Sequence, residues 1–334
     1  MPAGTLVPVC TAAAVSEPSG KFGTVTWDEK EESRRALATT VAHATEKTSA
    51  RDYVALIKPQ HVLPSTFTAW VGMLLAPGGS LHPERVVVTL AGTALAIAGA
   101  HVFNAILDRD LDALMERTRS RPLPSGRVPV GHAWILATVL SGLSVIMMAL
   151  LVNALAALLT LAGIFIYVVV YTYWLKRRSP WNTLAGGFSG GAPPLIGWAA
   201  ATGSLSWPAL VLFAIMVVWQ PLHFFALSLK VADDYRRAGF PMVVVVHGEQ
   251  ATLNQIVVYC AIAAVLAPLL TVFGVTGTAY LVLAVVLSTI YLVAAVRAAR
   301  DGQARAAYWG GRLLRYALTY LTVLFLAAVL DRTF

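Results

Sequence analysis

Three oxygen-bearing side chains, Asn104, Asp108 and Asp112, recur at intervals of four in the stretch NAILDRDLDALMERTRSRPLPSGR, residues 104–127. On an α-helix each such interval climbs about 6 Å and turns about 40° past a full revolution, so the three form one slightly spiralling stripe. That stripe suits a hard cation. Mg²⁺ takes oxygen ligands, typically one or two carboxylates completed by phosphate oxygens and water. Arg109, Arg117, Arg119 and Arg121 follow at once and carry the bidentate donors that phosphate oxygens favour. Spacing and charge alone also admit a solvated loop whose acids and bases pair with one another and anchor a helix at the lipid headgroups. Against that reading, Asn104 and Asp108 still belong to the end of an apolar run, where ionisable groups are costly and usually functional. Asp110 falls off the stripe and is the acid expected to matter least.

A second acidic cluster closes the stretch WQPLHFFALSLKVADDYRRAGFPM, residues 219–242, where Asp233 and Asp234 stand among Lys230, Arg236 and Arg237. A diphosphate leaving group has to be held from more than one side, so a second half-site is chemically sensible, either binding metal directly or positioning the diphosphate through Lys230 and water. Lys58, at the entry to the first apolar run, reads as a diphosphate contact or as an ordinary snorkelling lysine. His223 lies inside an apolar run, and His101 lies two turns below Asp108 on nearly the same face. A membrane histidine is commonly a hydrogen-bonded packing residue, but intramembrane ionisable groups also mark function.

These residues must be positioned by membrane helices. Of 334 residues 57% are hydrophobic and only 13% charged, about half the charged share of a soluble domain. Hydropathy marks nine spans, 56–76, 85–107, 131–151, 154–175, 181–202, 207–229, 251–274, 277–297 and 311–330, so the expected fold is all-α: a polytopic membrane bundle of nine transmembrane helices around a central cavity. Basic residues fill alternate loops: Arg109 to Arg127, then Lys176, Arg177 and Arg178, then Lys230, Arg236 and Arg237, then Arg297 to Arg315. The positive-inside rule puts those loops, the N-terminus and the cavity mouth in the cytoplasm, with the C-terminus outside. The net charge of +8 follows from that asymmetry, and no nucleic-acid partner is expected. Residues 1–50 read as a disordered cytoplasmic tail, and 51–334 as the intramembrane domain. Cys10 and Cys260 imply neither a disulfide framework nor a thiolate metal site. In YTYWLKRRSPWNTLAGGFSGGAPPLIGWAAATG, residues 171–203, Lys176, Arg177 and Arg178 close one run. The glycines at 186, 187, 190 and 191 with Pro193 and Pro194 are then expected to kink or break the next helix, or else to permit a close crossing of small residues.

The string N-x-x-x-D-R-D-x-D-x-x-M-x-R-T-x-x-R-P-L-P-x-G over 104–126 resembles the first aspartate-rich motif of the intramembrane prenyltransferase superfamily, and within it the protohaem IX farnesyltransferase (haem O synthase) family. LKR…WN…GG-x-x-GA-PP-L-I-G-W and K-x-x-D-D-Y-x-x-A-G-x-P-M also look like that family. The resemblance covers about Tyr53 to Leu330. It departs from the pattern at Gln60, where an arginine is common, at His101, where a small residue is usual, and after Met242, where a Leu-Pro is typical. The resemblance implies that Asn104, Asp108, Asp112 and Asp233 bind Mg²⁺ with farnesyl diphosphate, and that Asp234 joins them in catalysis. It also implies that Lys58, Arg109, Arg117, Arg121, Lys176, Arg177 and Lys230 contact substrate. Haem b is then the acceptor and a substrate rather than a resident cofactor, with His223 facing the porphyrin. The aromatic residues Phe103, Phe188, Trp198, Phe224 and Phe225 are expected to shield a carbocation from water. Implied neighbours are the lipid bilayer, haem A synthase and oxidase assembly factors. Transfer to a quinone precursor or chlorophyllide is the alternative within the superfamily; a transporter or lipid-binding protein is the alternative outside it.

Overall fold

The computed structural model describes residues 48–78 and 82–332, so the tail expected over 1–50 lies almost wholly outside the described residues. A short helix α1 (Ala50–Ile57) leads into α2 (Pro59–Leu75), α3 (Pro83–Leu107), α4 (Val130–Leu151) and α5 (Ala154–Phe165), which continues as a π-helix over Ile166–Leu175. Then follow α6 (Asn182–Thr202), α7 (Trp207–Lys230), α8 (Ala232–Ala238), α9 (Gly248–Leu266), α10 (Thr278–Asp301) and α11 (Ala306–Leu330). Among the described residues no strand is present beyond one isolated bridge. Helix is what a chain in hydrocarbon must form, because it satisfies its own backbone donors and acceptors.

Seven segments are long and apolar enough to cross a bilayer: Pro83–Leu107, Val130–Leu151, Ala154–Leu175, Trp207–Lys230, Gly248–Val272, Thr278–Asp301 and Gln303–Leu330. This is a multi-pass membrane protein. Helices α2, with 17 residues, and α6, with 21, occupy the places of the first and fifth expected spans. They fall short in length and in apolarity, respectively. Helix α4 shows the governing pattern. Its inward face is Ala133, Ala137, Ser141, Ser144 and Met148, and its outward face is Ile135, Val139, Leu143, Ile146 and Leu150. Small and polar side chains point in and large aliphatic ones point out, the arrangement that hydrocarbon surroundings select. Against α4, a Cβ on Gly99 would lie 2.3 Å from Ser141 Oγ, and Ser144 Oγ donates to the Gly92 carbonyl at 2.6 Å.

The expected break in the fifth span does not occur: α6 is one helix through Pro193 and Pro194. Its glycines serve the close crossing. A Cβ on Gly197 would fall 1.9 Å from the Ala69 carbonyl oxygen of α2, and one on Gly190 would fall 1.8 Å from Gln220 Nε2 of α7. Packed against α2, α5 and α7, α6 is kept continuous by its neighbours. The irregularity lies one helix earlier, in the π-helix, where the Lys176 N–H bonds to the Tyr171 carbonyl five residues back at 2.8 Å. Such wide turns recur at functional sites.

Candidate functional site: a carboxylate and lysine cluster at the helix ends

Helix α3 ends at Leu107, and the chain keeps helical bonding for one more turn: Asp108 N–H to Asn104 O at 2.9 Å, then Asp112 N–H to Asp108 O at 2.8 Å. The spacing of four therefore becomes a physical stripe. Asn104, Asp108 and Asp112 are 5%, 2% and 3% exposed, whereas the Asp110 side chain is 62% exposed. Burying carboxylates is expensive unless each finds partners. Asn104 Nδ2 donates to Asp108 Oδ2 at 2.7 Å and to Thr172 Oγ1 of the π-helix at 3.3 Å. Lys176, one residue past the π-helix, pairs with the same Asp108 oxygen. Arg121 Nη1 donates to Asp112 Oδ2 at 2.8 Å.

Lys58 arrives from the other side, its Nζ donating to Asn104 Oδ1 at 3.2 Å. It joins α1 to α2 with φ 57 and ψ 63, the only non-glycine positive φ among the described residues. A lysine in this left-handed conformation costs of order 1 kcal/mol or more, and the following proline disfavours the right-handed helical alternative. The approach of α1 is fixed by Arg127 Nε donating to Asp52 Oδ1 at 2.9 Å and by Thr48 Oγ1 donating to the Arg127 carbonyl at 2.7 Å. Arg121 and Lys176 bring two further cations near Lys58. Burial works against charge on Lys176, but Asp108, followed by Tyr171, more than offsets it and holds this lysine above its ordinary range. The Lys176 ammonium also sits 5.6 Å from the Tyr171 ring centre and 5.1 Å from that of Phe240.

Two features of the cluster fit a divalent cation bound together with an anion. Asp108 Oδ1 is buried without a partner, which is the costly state that a cation would relieve. Lys58, Lys176 and Arg121 converge beside it, more positive charge than the carboxylates use. Among the described residues no group of three or more His, Cys, Asp or Glu side chains forms a metal site by itself.

Other expected residues take different places. Arg177 donates to Asp110 Oδ2 at 2.9 Å and to the Leu107 carbonyl that ends α3, so it anchors the helix end next to Lys176. Hydrogen bonding from Arg177 holds the Asp110 carboxyl below its usual range. Arg109 and Arg117 are exposed and pair with none of the three stripe residues. In the second cluster Asp233 is 83% exposed and bonds Arg236 at 2.8 Å, while buried Asp234 pairs with Arg237. Together with the expected Lys230, and with Glu249 and Glu116, which sequence reasoning missed, these line a cleft of about 450 Å³. Glu116, from the loop after Asp112, reaches Arg237 at 3.8 Å, so the two acidic loops adjoin.

His223 stacks on Trp219 with ring centres 5.2 Å apart, and its Nδ1 is buried without a partner. The expected aromatic lining is only partly realised. Trp198 and Phe225 are sealed in the core, 1% and 4% exposed. Phe103 packs on Trp134, and Phe188 packs on Phe213. Phe224 lies edge-on to His223. The aromatic rings at the cluster are instead Tyr167, Tyr171 and Phe240. Trp198 and Phe225 pack between close helices, whereas the wide π-turn carries Tyr167 and Tyr171 toward the cluster and leaves Tyr173 facing outward.

Residues 65–313 match the sequence pattern of the UbiA prenyltransferase family. The chain is 44% identical over 283 residues to a protoheme IX farnesyltransferase of Symbiobacterium thermophilum, covering 85% of this chain and 94% of that one. It is 42% identical over 299 residues to the one of Roseiflexus sp. (strain RS-1), covering 90% of this chain and 55% of that one. The chain thus spans about half the length of the Roseiflexus relatives. Among solved structures it resembles a digeranylgeranylglyceryl phosphate synthase, with TM-score 0.71, 17% identity and coverage of 84% and 97%. It also resembles a UbiA homologue from Archaeoglobus fulgidus bound to DMAPP and Mg²⁺, with TM-score 0.62, 16% identity and coverage of 81% and 99%.

Proposed function

This chain belongs to the UbiA prenyltransferase family, and we propose that it transfers the farnesyl group of farnesyl diphosphate to a vinyl group of haem b, with addition of water, giving haem O. The observation that carries the reading is the cluster itself: an unpaired Asp108 oxygen beside Lys58, Lys176 and Arg121. The relatives named protoheme IX farnesyltransferase supply the acceptor. The Archaeoglobus neighbour, bound to a prenyl diphosphate and Mg²⁺, supports the class of donor.

Asn104, Asp108 and Asp112 would hold Mg²⁺, which supplies Lewis-acid stabilisation of the departing diphosphate. Lys58, Lys176 and Arg121 hold the diphosphate oxygens and take up the charge that grows as the C–O bond breaks. Arg109, Arg117 and Lys230 attract the anion from the rim, and Arg177 keeps Lys176 in register. Asp234, through Arg237, holds the second loop against Glu116 of the first; direct metal contact by Asp233 requires it to turn away from Arg236. Tyr167 and Tyr171 present ring faces where the allylic cation forms and keep bulk water out. The basic loops and the N-terminus face the cytoplasm of the cell membrane, nine helices cross it, and the product passes to haem A synthase or oxidase assembly factors.

The test is incubation of the purified full chain with haem b, farnesyl diphosphate and Mg²⁺, followed by mass analysis. Hydroxyfarnesylated haem is the expected product; prenylation of a quinone precursor instead would reassign the acceptor. His223, with its free Nδ1 beside Trp219, is the side chain proposed to face the porphyrin. His223→Ala is expected to shift the haem absorption spectrum and weaken haem binding about tenfold while leaving farnesyl diphosphate binding intact. Unchanged spectra and turnover would remove that role.

A further inference from the structure

Lys58 and Asn104 touch across α2 and α3, which run in opposite directions. Three residues further along α2 is His61, and three residues back along α3 is His101, so both lie about one helical turn deeper than the cluster. They meet there, with ring centres 5.5 Å apart. The π-helix completes the layer: Tyr167 OH lies 3.1 Å from His101 Nδ1, and the Tyr167 ring stands edge-on to His101. The same turn ties back to the stripe, since Thr172 Oγ1 donates to the Tyr167 carbonyl at 2.8 Å while accepting from Asn104. His61 is exposed and His101 is partly buried.

We propose that His101, oriented by Tyr167 and with His61 beside it, is the base that accepts a proton from the water completing the transfer. The inference rests on the function proposed above. When the farnesyl C1–O bond breaks, its electron pair leaves with diphosphate. The vinyl π pair then forms the new C1–C bond, and positive charge is left on the carbon next to the macrocycle. A water lone pair closes the C–O bond there, and one proton must go to a base. Asp108 and Asp112 are ion-paired and the remaining Asp108 oxygen is the one assigned to the cation, whereas His101 keeps one ring nitrogen free. With Nδ1–H donating to the Tyr167 oxygen, the Nε2 lone pair is available. His101 is therefore a catalytic residue of the hydration half-reaction, and Tyr167 is a positioning residue.

The test is the product mixture formed by the full chain and its His101→Gln and Tyr167→Phe variants from farnesyl diphosphate, haem b and Mg²⁺. A general base contributes about 100-fold or more. His101→Gln is therefore expected to lose hydroxylated product by about that factor and to accumulate farnesylated haem one water lighter, as the cation loses a proton instead, while still releasing diphosphate. Tyr167→Phe is expected to show the same shift at about a tenfold level. Wild-type amounts of hydroxylated product from His101→Gln overturn the proposal, as does a parallel loss of diphosphate release and both products in the two variants, which marks a packing role. A wild-type protein that farnesylates no haem overturns the underlying function instead.

Discussion

Asp108→Ala is expected to lower kcat/KM for farnesyl diphosphate by about 1000-fold or more, equivalent to about 4 kcal/mol of lost transition-state stabilisation. Asp108 is the point on which the cluster turns: one oxygen serves Asn104 and Lys176, and the other is buried and free. The substitution removes the best-placed cation ligand and leaves Lys176 buried without its partner, a loss that by itself destabilises by about 3–5 kcal/mol. Asp108→Asn keeps the side-chain shape and is the cleaner probe. Asp112→Ala, which frees Arg121, is expected to cost about 100-fold. Asp110→Ala, off the stripe and exposed, breaks only the pair with Arg177 and is expected to stay within about fivefold. Steady-state diphosphate release, with helicity and monodispersity as controls, measures all four. Near wild-type rates in both Asp108 variants would remove the metal and diphosphate assignment.

The contrast between Asp108 and Asp110 was legible from spacing alone, because a four-residue interval has only one meaning on a helix and the apolar run before Asn104 fixed the helix. Helix positions were legible for the same reason: hydrocarbon length leaves little freedom, and α4 to α7, with the π-helix counted as the continuation of α5, begin and end within a residue or so of expectation. The partners were not legible. Lys58 and Lys176 are 46 and 72 residues from Asn104, and nothing local to either position says that they converge. The widened turn over Ile166–Leu175, which carries Thr172 and Lys176 inward, leaves no mark in composition, since its sequence, IYVVVYTYWL, suits an ordinary helix equally well. The glycines of α6 gave an ambiguous signal. Glycine that permits a break and glycine that permits contact look identical until the neighbouring backbone is placed.

That contact carries the second large effect. A Cβ on Gly72 of α2 would sit 2.0 Å from the Pro194 carbonyl oxygen of α6, and one on Gly197 of α6 would sit 1.9 Å from the Ala69 carbonyl oxygen of α2. In both cases the obstacle is backbone, which cannot rotate away as a side chain would. The two helices must therefore separate. Gly72→Leu or Gly197→Leu is expected to destabilise by about 3 kcal/mol, the upper part of the usual overpacking range, and to lower the apparent Tm by roughly 5–10 °C. Gly131, with open space around its Cβ position in the first turn of α4, is the control: Gly131→Ala is expected to be neutral or slightly stabilising. The consequence extends to the chemistry. Helix α2 starts at Lys58, and α6 packs against both α2 and the π-helix that ends beside Lys176, so forcing α6 away moves the two lysines relative to Asp108. Whatever folded Gly72→Leu protein remains is expected to bind farnesyl diphosphate at least about tenfold more weakly, although Gly72 itself touches no substrate. An unchanged Tm and unchanged affinity would mean that the α2–α6 crossing is looser than its backbone spacing indicates and that Lys58 is held by α1 and Asn104 alone.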